Sequence, residues 1–242
     1  MVPDGFPSVV PKAVGADAER GVSMKIGVLG TGNMADALAT QWVRAGHEVF
    51  VGGRNEQNAQ RLATRIGSGV GHGSLQAAVG YGEVILAALP YGAGADIVQE
   101  HQSALKGKVL LDCANPIGPD FRLLTEGGPS AAHRLAAAAP GVHVVKAFNL
   151  CHEDVWRMTP PVFDGQPLSV PICGDDEAAL ALARTLVRDM GCEPVAGGGL
   201  DRAGLLEATA ALFIGLWVAE QADVRAIAPP LAYATGPRSE SA

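Results

Sequence analysis

Between Lys25 and Arg44 a continuously apolar run, KIGVLG, passes directly into Thr31-Gly32-Asn33-Met34-Ala35 and then into an alanine-rich segment. No other part of the chain restricts the fold as strongly. The spacing Gly30-x-Gly32-x-x-Ala35 predicts a strand, a tight turn and a helix. The first glycine permits the turn, and the second lets backbone N–H groups approach a pyrophosphate. The small alanine lets the helix pack on the sheet, with its N-terminus toward the anion. Gly30, Thr31, Gly32, Asn33 and Met34 are therefore the expected dinucleotide contacts.

The same alternation continues downstream. Apolar runs at Lys25–Gly30, His47–Gly52, Val84–Leu89, Val109–Cys113 and Val142–Phe148 read as parallel strands covered on both faces. Helical stretches lie near Met34–Ala45, Gln57–Ile66, Ala93–Leu105 and Pro129–Ala138, three of them followed by Gly46, Gly67 or Gly107. This rhythm predicts an α/β protein with a Rossmann-type doubly wound parallel sheet over residues 24–149. After Asn149 the pattern changes. A proline-rich connection, a strand Leu168–Cys173, a helix capped by Asp175 or Asp176, a short strand Glu193–Ala196 and an apolar helix near Arg202–Arg225 predict a small C-terminal α+β domain over residues 150–228. Residues 1–23 and 229–242 read as flexible ends, with Met24 a candidate start.

The end of the second strand bears on which dinucleotide is used. An NAD site places Asp or Glu there to receive the ribose hydroxyls, whereas this chain has Gly52-Gly53-Arg54-Asn55. Arg54 can stack on adenine and grip a 2′-phosphate bidentately, which favours NADP(H). Leu89-Pro90 and Asn115-Pro116 follow two further strands and should close on ribose and nicotinamide. Other chemistries fail on spacing. His152-Glu153 opens like a zinc-binding H-E-x-x-H, but Trp156 stands at the second histidine, and no G-x-S-x-G elbow occurs.

A net charge of −7 argues against nucleic acid as a partner. The four cysteines, Cys113, Cys151, Cys173 and Cys192, form no C-x-x-C pair and are expected as free thiols in a reducing cytoplasm. The N-terminus has no apolar core of a secretory signal. The longest uncharged apolar stretch runs only from Glu207 to Glu220, short of the ~20 residues a membrane span needs, so no membrane segment is expected. The apolar face around Leu212, Phe213, Leu216 and Trp217 fits either a homodimer contact through this helix or packing on the chain's own sheet.

Taken as a set, KIGVLGTGNMADAL, VFVGGRNEQNA, AALPYGAGADIV, VVKAFN and VPICGDDEAALALARTLVRDMG resemble the coenzyme F420-dependent NADP oxidoreductases and the related reductase domain of the STEAP metalloreductases, from about Met24 to Leu216. The resemblance implies NADP(H) as cofactor and F420 as deazaflavin co-substrate. It places Asn58 where the family carries a lysine near the 2′-phosphate, and Ala147 against the nicotinamide. It implies direct hydride transfer, with positioning rather than acid–base residues. Lys146 and Asn149 are then the candidate catalytic residues, and Lys146, Asn149, His152, Gly198 and Leu200 the candidate lining of the second pocket. Two other functions fit the residues: an NADPH-dependent reductase of a C=N or C=C bond in a small molecule, and a non-catalytic NADP(H)-sensing module.

Overall fold

The computed structural model describes residues 23–125 and 127–227; the expected flexible ends lie outside the described residues apart from Ser23. The first half alternates strand and helix in chain order. It contains β1 (Lys25–Leu29), α1 (Asn33–Arg44), β2 (Glu48–Gly52), α2 (Glu56–Ile66), β3 (Gly71–Gly73), α3 (Leu75–Tyr81) and β4 (Val84–Ala87). Then follow α4 (Tyr91–Glu100), α5 (Gln102–Leu105), β5 (Val109–Asp112), α6 (Ala131–Ala138) and β6 (His143–Lys146). The second half adds α7 (Glu153–Trp156), the ribbon β7 (Val162–Phe163) and β8 (Gln166–Pro167), β9 (Ser169–Gly174), α8 (Glu177–Arg188), β10 (Glu193–Gly198) and α9 (Ala203–Ala219).

Eight strands form one sheet in the order β3-β2-β1-β4-β5-β6-β9-β10. From β3 to β6 every pair is parallel, β9 runs antiparallel to β6, and β10 follows β9. Register keeps the strand ends level: Leu29 pairs with Gly52 and Ala87, Ala87 with Asp112, and Asp112 with Lys146. The loops after these five residues therefore open along a single edge, where a doubly wound sheet binds its ligands.

Alternation along the strands builds two cores. Ile26, Val28, Val84 and Leu86 face one layer with Leu38, Trp42 and Leu186, while Leu29, Ile85 and Ala87 face the other with Val98, Leu105 and Leu135. Each fully buried branched side chain of this kind contributes about 1.5–3 kcal/mol. The first core crosses residue 149: Trp42 packs edge-on against Phe148 at 5.8 Å and donates its indole N–H to the Leu186 carbonyl.

Several elements differ from expectation. The pair β3 and α3 lies in a glycine-rich stretch with too few residues to show a period, and Ser74 caps α3 by accepting from the Ala77 amide. The helix expected over Ala93–Leu105 begins at Tyr91 and breaks at His101, whose ring bonds the Gln76 amide oxygen at 2.9 Å. Pro129 stays outside α6 because Ser130 supplies the cap. The last helix stops at Ala219 rather than near Arg225, and Gln221 takes a left-handed turn at φ 53°. Its opening turn from Leu200 joins it, so Leu200–Ala219 is 20 residues with mean hydropathy 1.4. By length and composition that is enough to cross a membrane, contrary to the estimate drawn between the two glutamates. Glu207, which shortened that estimate, is fully buried on the chain's own sheet.

Candidate functional site

The glycine turn is shaped by contacts on both sides. Gly30 has φ +123°, donates to the Gly52 carbonyl at 2.9 Å, and lies so close to the Ala88 carbonyl that any Cβ would collide with it. Gly32 caps α1 in extended conformation, with open space where a side chain would project. Among the described residues no side chain caps α1, so its first-turn N–H groups and positive dipole end are open to an anion. That is the fit a pyrophosphate requires.

Beside the turn, Gly53 approaches the Thr31 methyl so closely that a Cβ would stand 3.0 Å from it. Asn55 caps α2, accepting from the Gln57 and Asn58 amides, and the Asn58 amide oxygen accepts from Arg61 at 2.8 Å. Arg54 is exposed and forms no ion pair among the described residues, which leaves its guanidinium available for a phosphate. These groups border a cleft of about 490 Å³. All of Gly30, Thr31, Gly32, Asn33, Met34, Gly53, Arg54, Asn55, Asn58, Leu89 and Pro90 stand on its walls. Leu75, Ala88 and Glu153 join them without having been expected there.

A second cavity of about 480 Å³ adjoins the first along the same edge, and Met34, Leu89 and Glu153 belong to both. Asn149 and His152, expected at a second ligand, line it, and so does Asn115, which was expected at the nucleotide and borders this cavity instead; Phe148 and, from α9, Ile214, Trp217 and Val218 complete the wall. Phe148 turns the chain at φ 61° and is clamped edge-on between Trp42 and Trp156 at 5.8 and 5.5 Å. The two asparagines interlock: the Asn115 amide donates to the Asn149 carbonyl at 2.7 Å, and the Asn149 amide donates to Asn115 Oδ1 at 2.9 Å and the Leu206 carbonyl at 3.1 Å. The Asn149 side-chain oxygen is buried without a hydrogen-bond partner among the described residues. The short α7 docks onto α1 through Asn33 Nδ2 donating to Glu153 Oε1 at 2.8 Å and Arg157 pairing with Asp36 at 3.1 Å.

Five expected contacts lie elsewhere. Lys146 faces no cleft. It points from β6 to the α6–α9 side, fully buried, with its ammonium 2.8 Å from Asp112 and 3.0 Å from Glu207 and donating to the Ala114 carbonyl. Burial alone would lower its pKa, but the two carboxylates hold it above the ordinary lysine value. Glu207 also accepts from the Ala131 and Ala132 amides at the start of α6. Ala147 points to the opposite face and is wholly buried in the core beneath the cleft. Pro116 is buried and borders neither cavity, which leaves Asn115 as that loop's contribution. Gly198 and Leu200 lie at the far end of the sheet, because β9 and β10 run antiparallel to β1–β6 and their carboxyl ends emerge at the opposite edge. There Leu200 sits beside Val142, His143 and Asp175.

Two signals for the buried ion cluster were present. VLLD and VVK end level in adjacent strands, and Glu207 is the one charged residue in α9. Cys151, on the second cavity, is no activated nucleophile: burial pushes its thiol up to about 11, and that of Cys113 up to about 12.

Comparison with known proteins agrees with this architecture. Residues 25–116 match the family model for NADP oxidoreductase, coenzyme F420-dependent. The F420-dependent NADP reductase of Methanothermobacter marburgensis is 30% identical over 210 residues, an alignment covering 80% of this chain and 92% of that protein. Metalloreductase STEAP3 of Rattus norvegicus is 32% identical over 200 residues, but the chain spans only 38% of its length. A crystal structure of an Arthrobacter F420-dependent NADP reductase homologue superposes with a TM-score of 0.71 at 24% identity, covering 82% of this chain and 96% of that one, and supports the fold. With the glycine turn, the open arginine and the level sheet edge in place, the chain belongs to the coenzyme F420-dependent NADP oxidoreductase family.

Proposed function

We propose that this chain transfers hydride between NADP(H) and a deazaflavin of the F420 type. The observation that carries the reading is the meeting of two cavities at Met34, Leu89 and Glu153, one bordered by the phosphate-binding turn and the other largely apolar. When bound, the nicotinamide and deazaflavin rings supply the redox chemistry. The chain's own residues position and enclose them. Gly30–Met34 and the first turn of α1 hold the pyrophosphate, Arg54 takes the 2′-phosphate, and Leu89-Pro90 directs the cofactor toward the junction. Phe148, Ile214 and Trp217 supply an apolar wall for a flat ring and keep water out. Asn149 and Asn115 fix the loops on either side.

On this reading residues 24–149 serve the nucleotide and residues 150–228 complete the second cavity, a division of labour within one sheet. The built second cavity favours an enzyme over a sensing module. A cytoplasmic setting fits four free thiols and an α9 tied to its sheet through Glu207 and the Leu206 carbonyl. On α9, Leu212 is exposed and Phe213 and Leu216 are half-buried, and this apolar face is the one we assign to a homodimer contact.

The decisive experiment mixes the purified chain anaerobically with NADPH and oxidised F420 and follows loss of deazaflavin absorbance. Turnover with NADPH well above that with NADH is expected. Reduction of a C=N or C=C substrate with no reaction of the deazaflavin would overturn the proposal.

A further inference from the structure

Among the described residues Glu153 is the one carboxylate on the walls of either cavity. It belongs to both cavities where they join, whereas Arg54 and Asn58 border the nucleotide cleft alone. Its Oε1 accepts from Asn33 at 2.8 Å, and its Oε2 lies 3.3 Å from the exposed His152 ring. The neighbouring cation Arg157 is engaged by Asp36 and Asp154 instead. Only 21% of the Glu153 side chain is exposed, so its charge acts through protein more than through water.

From this placement we infer that Glu153 determines which redox form of the nicotinamide the site prefers, and so biases the chain toward hydride donation by NADPH. The inference rests on the cofactor reading above. NADP⁺ and NADPH carry the same phosphates, so repulsion between those phosphates and Glu153 cancels when the two forms are compared. What differs is one positive charge on the oxidised ring. Hydride leaving C4 with its electron pair creates that charge, and a carboxylate at the junction stabilises it. The oxidised form is held more tightly, which makes the bound couple a stronger reductant. A five- to tenfold preference for NADP⁺ corresponds to about 1–1.4 kcal/mol, the size of Coulomb term that a partly exposed pair of unit charges supplies.

The test is a pair of dissociation constants for the full chain, NADPH by its fluorescence and NADP⁺ by calorimetry. Glu153→Gln keeps an acceptor for Asn33 and removes only the charge. It is expected to raise Kd(NADP⁺)/Kd(NADPH) roughly five- to tenfold, with Glu153→Asp within about twofold of the parent. Glu153→Ala should reproduce the rise, keeping the test open if the amide variant folds poorly. An unchanged ratio in both neutral variants overturns this inference while leaving the cofactor reading intact. A parent chain that binds neither form overturns both.

Discussion

Replacing Lys146 by methionine tests the buried cluster directly. The methionine fills nearly the same volume but leaves Asp112 and Glu207, both fully buried, facing each other without a cation. Breaking a buried pair from one side costs about 3–5 kcal/mol, because the remaining charge is neither solvated nor matched. No solvent discount applies at 0% exposure. At roughly 2–4 °C per kcal/mol for a chain of this size, Lys146→Met should melt about 6–20 °C below the parent in a circular-dichroism scan. The double variant Lys146→Met, Glu207→Gln removes one stranded charge and should recover about half of that loss.

The pH dependence has a definite sign. In the parent, the folded pKa of Lys146 is raised above the ordinary 10.5. Its contribution is therefore complete below 10.5 and is lost only as pH rises through the higher folded value. A single variant that melts within about 2 °C of the parent at pH 8, with the double variant no better, would refute the reasoning.

Arg54→Ala should weaken NADP⁺ binding about ten- to hundredfold, from the loss of charge-assisted phosphate bonds, with NAD⁺ nearly unchanged. Equal losses for the two dinucleotides in titration would remove Arg54 from the 2′-phosphate. Gly32→Val projects its branches into the open space beside the first turn of α1, and should cost at least tenfold in binding of either dinucleotide with a melting point within a few degrees of the parent. Undiminished binding would displace the pyrophosphate from that turn.

The glycine turn and the open arginine were legible because their chemistry is local: five consecutive residues dictate Gly30–Met34, and Arg54 follows its strand by two. Gly198 and Leu200 were misplaced because a strand's direction is a property of its partner. Nothing in LSVPIC tells whether it lies parallel or antiparallel to VVK. Lys146 was misread for a related reason. A lysine at a strand end is ordinarily solvated, and only the arrival of Glu207 from 61 positions away turns it inward. Trp217 and Ile214 belong to an almost uniformly apolar helix, whose sequence gives no stripe to say which side meets the sheet edge.

The α9 helix also works as a ruler. At about 100° and 1.5 Å per residue, Ile214 and Val218 each fall within about 20° of Glu207 on one stripe, spanning roughly 16 Å from the buried cluster to the second cavity. The charge pins the angular setting at one end and so sets which side chains enter the cavity at the other. A residue inserted between Glu207 and Ile214 would leave the pin in place, yet rotate the far end by about 100° and carry it about 1.5 Å along the axis. Relatives that differ in the length of this segment should therefore differ in the shape of ligand they admit, even where every residue of the nucleotide cleft is the same.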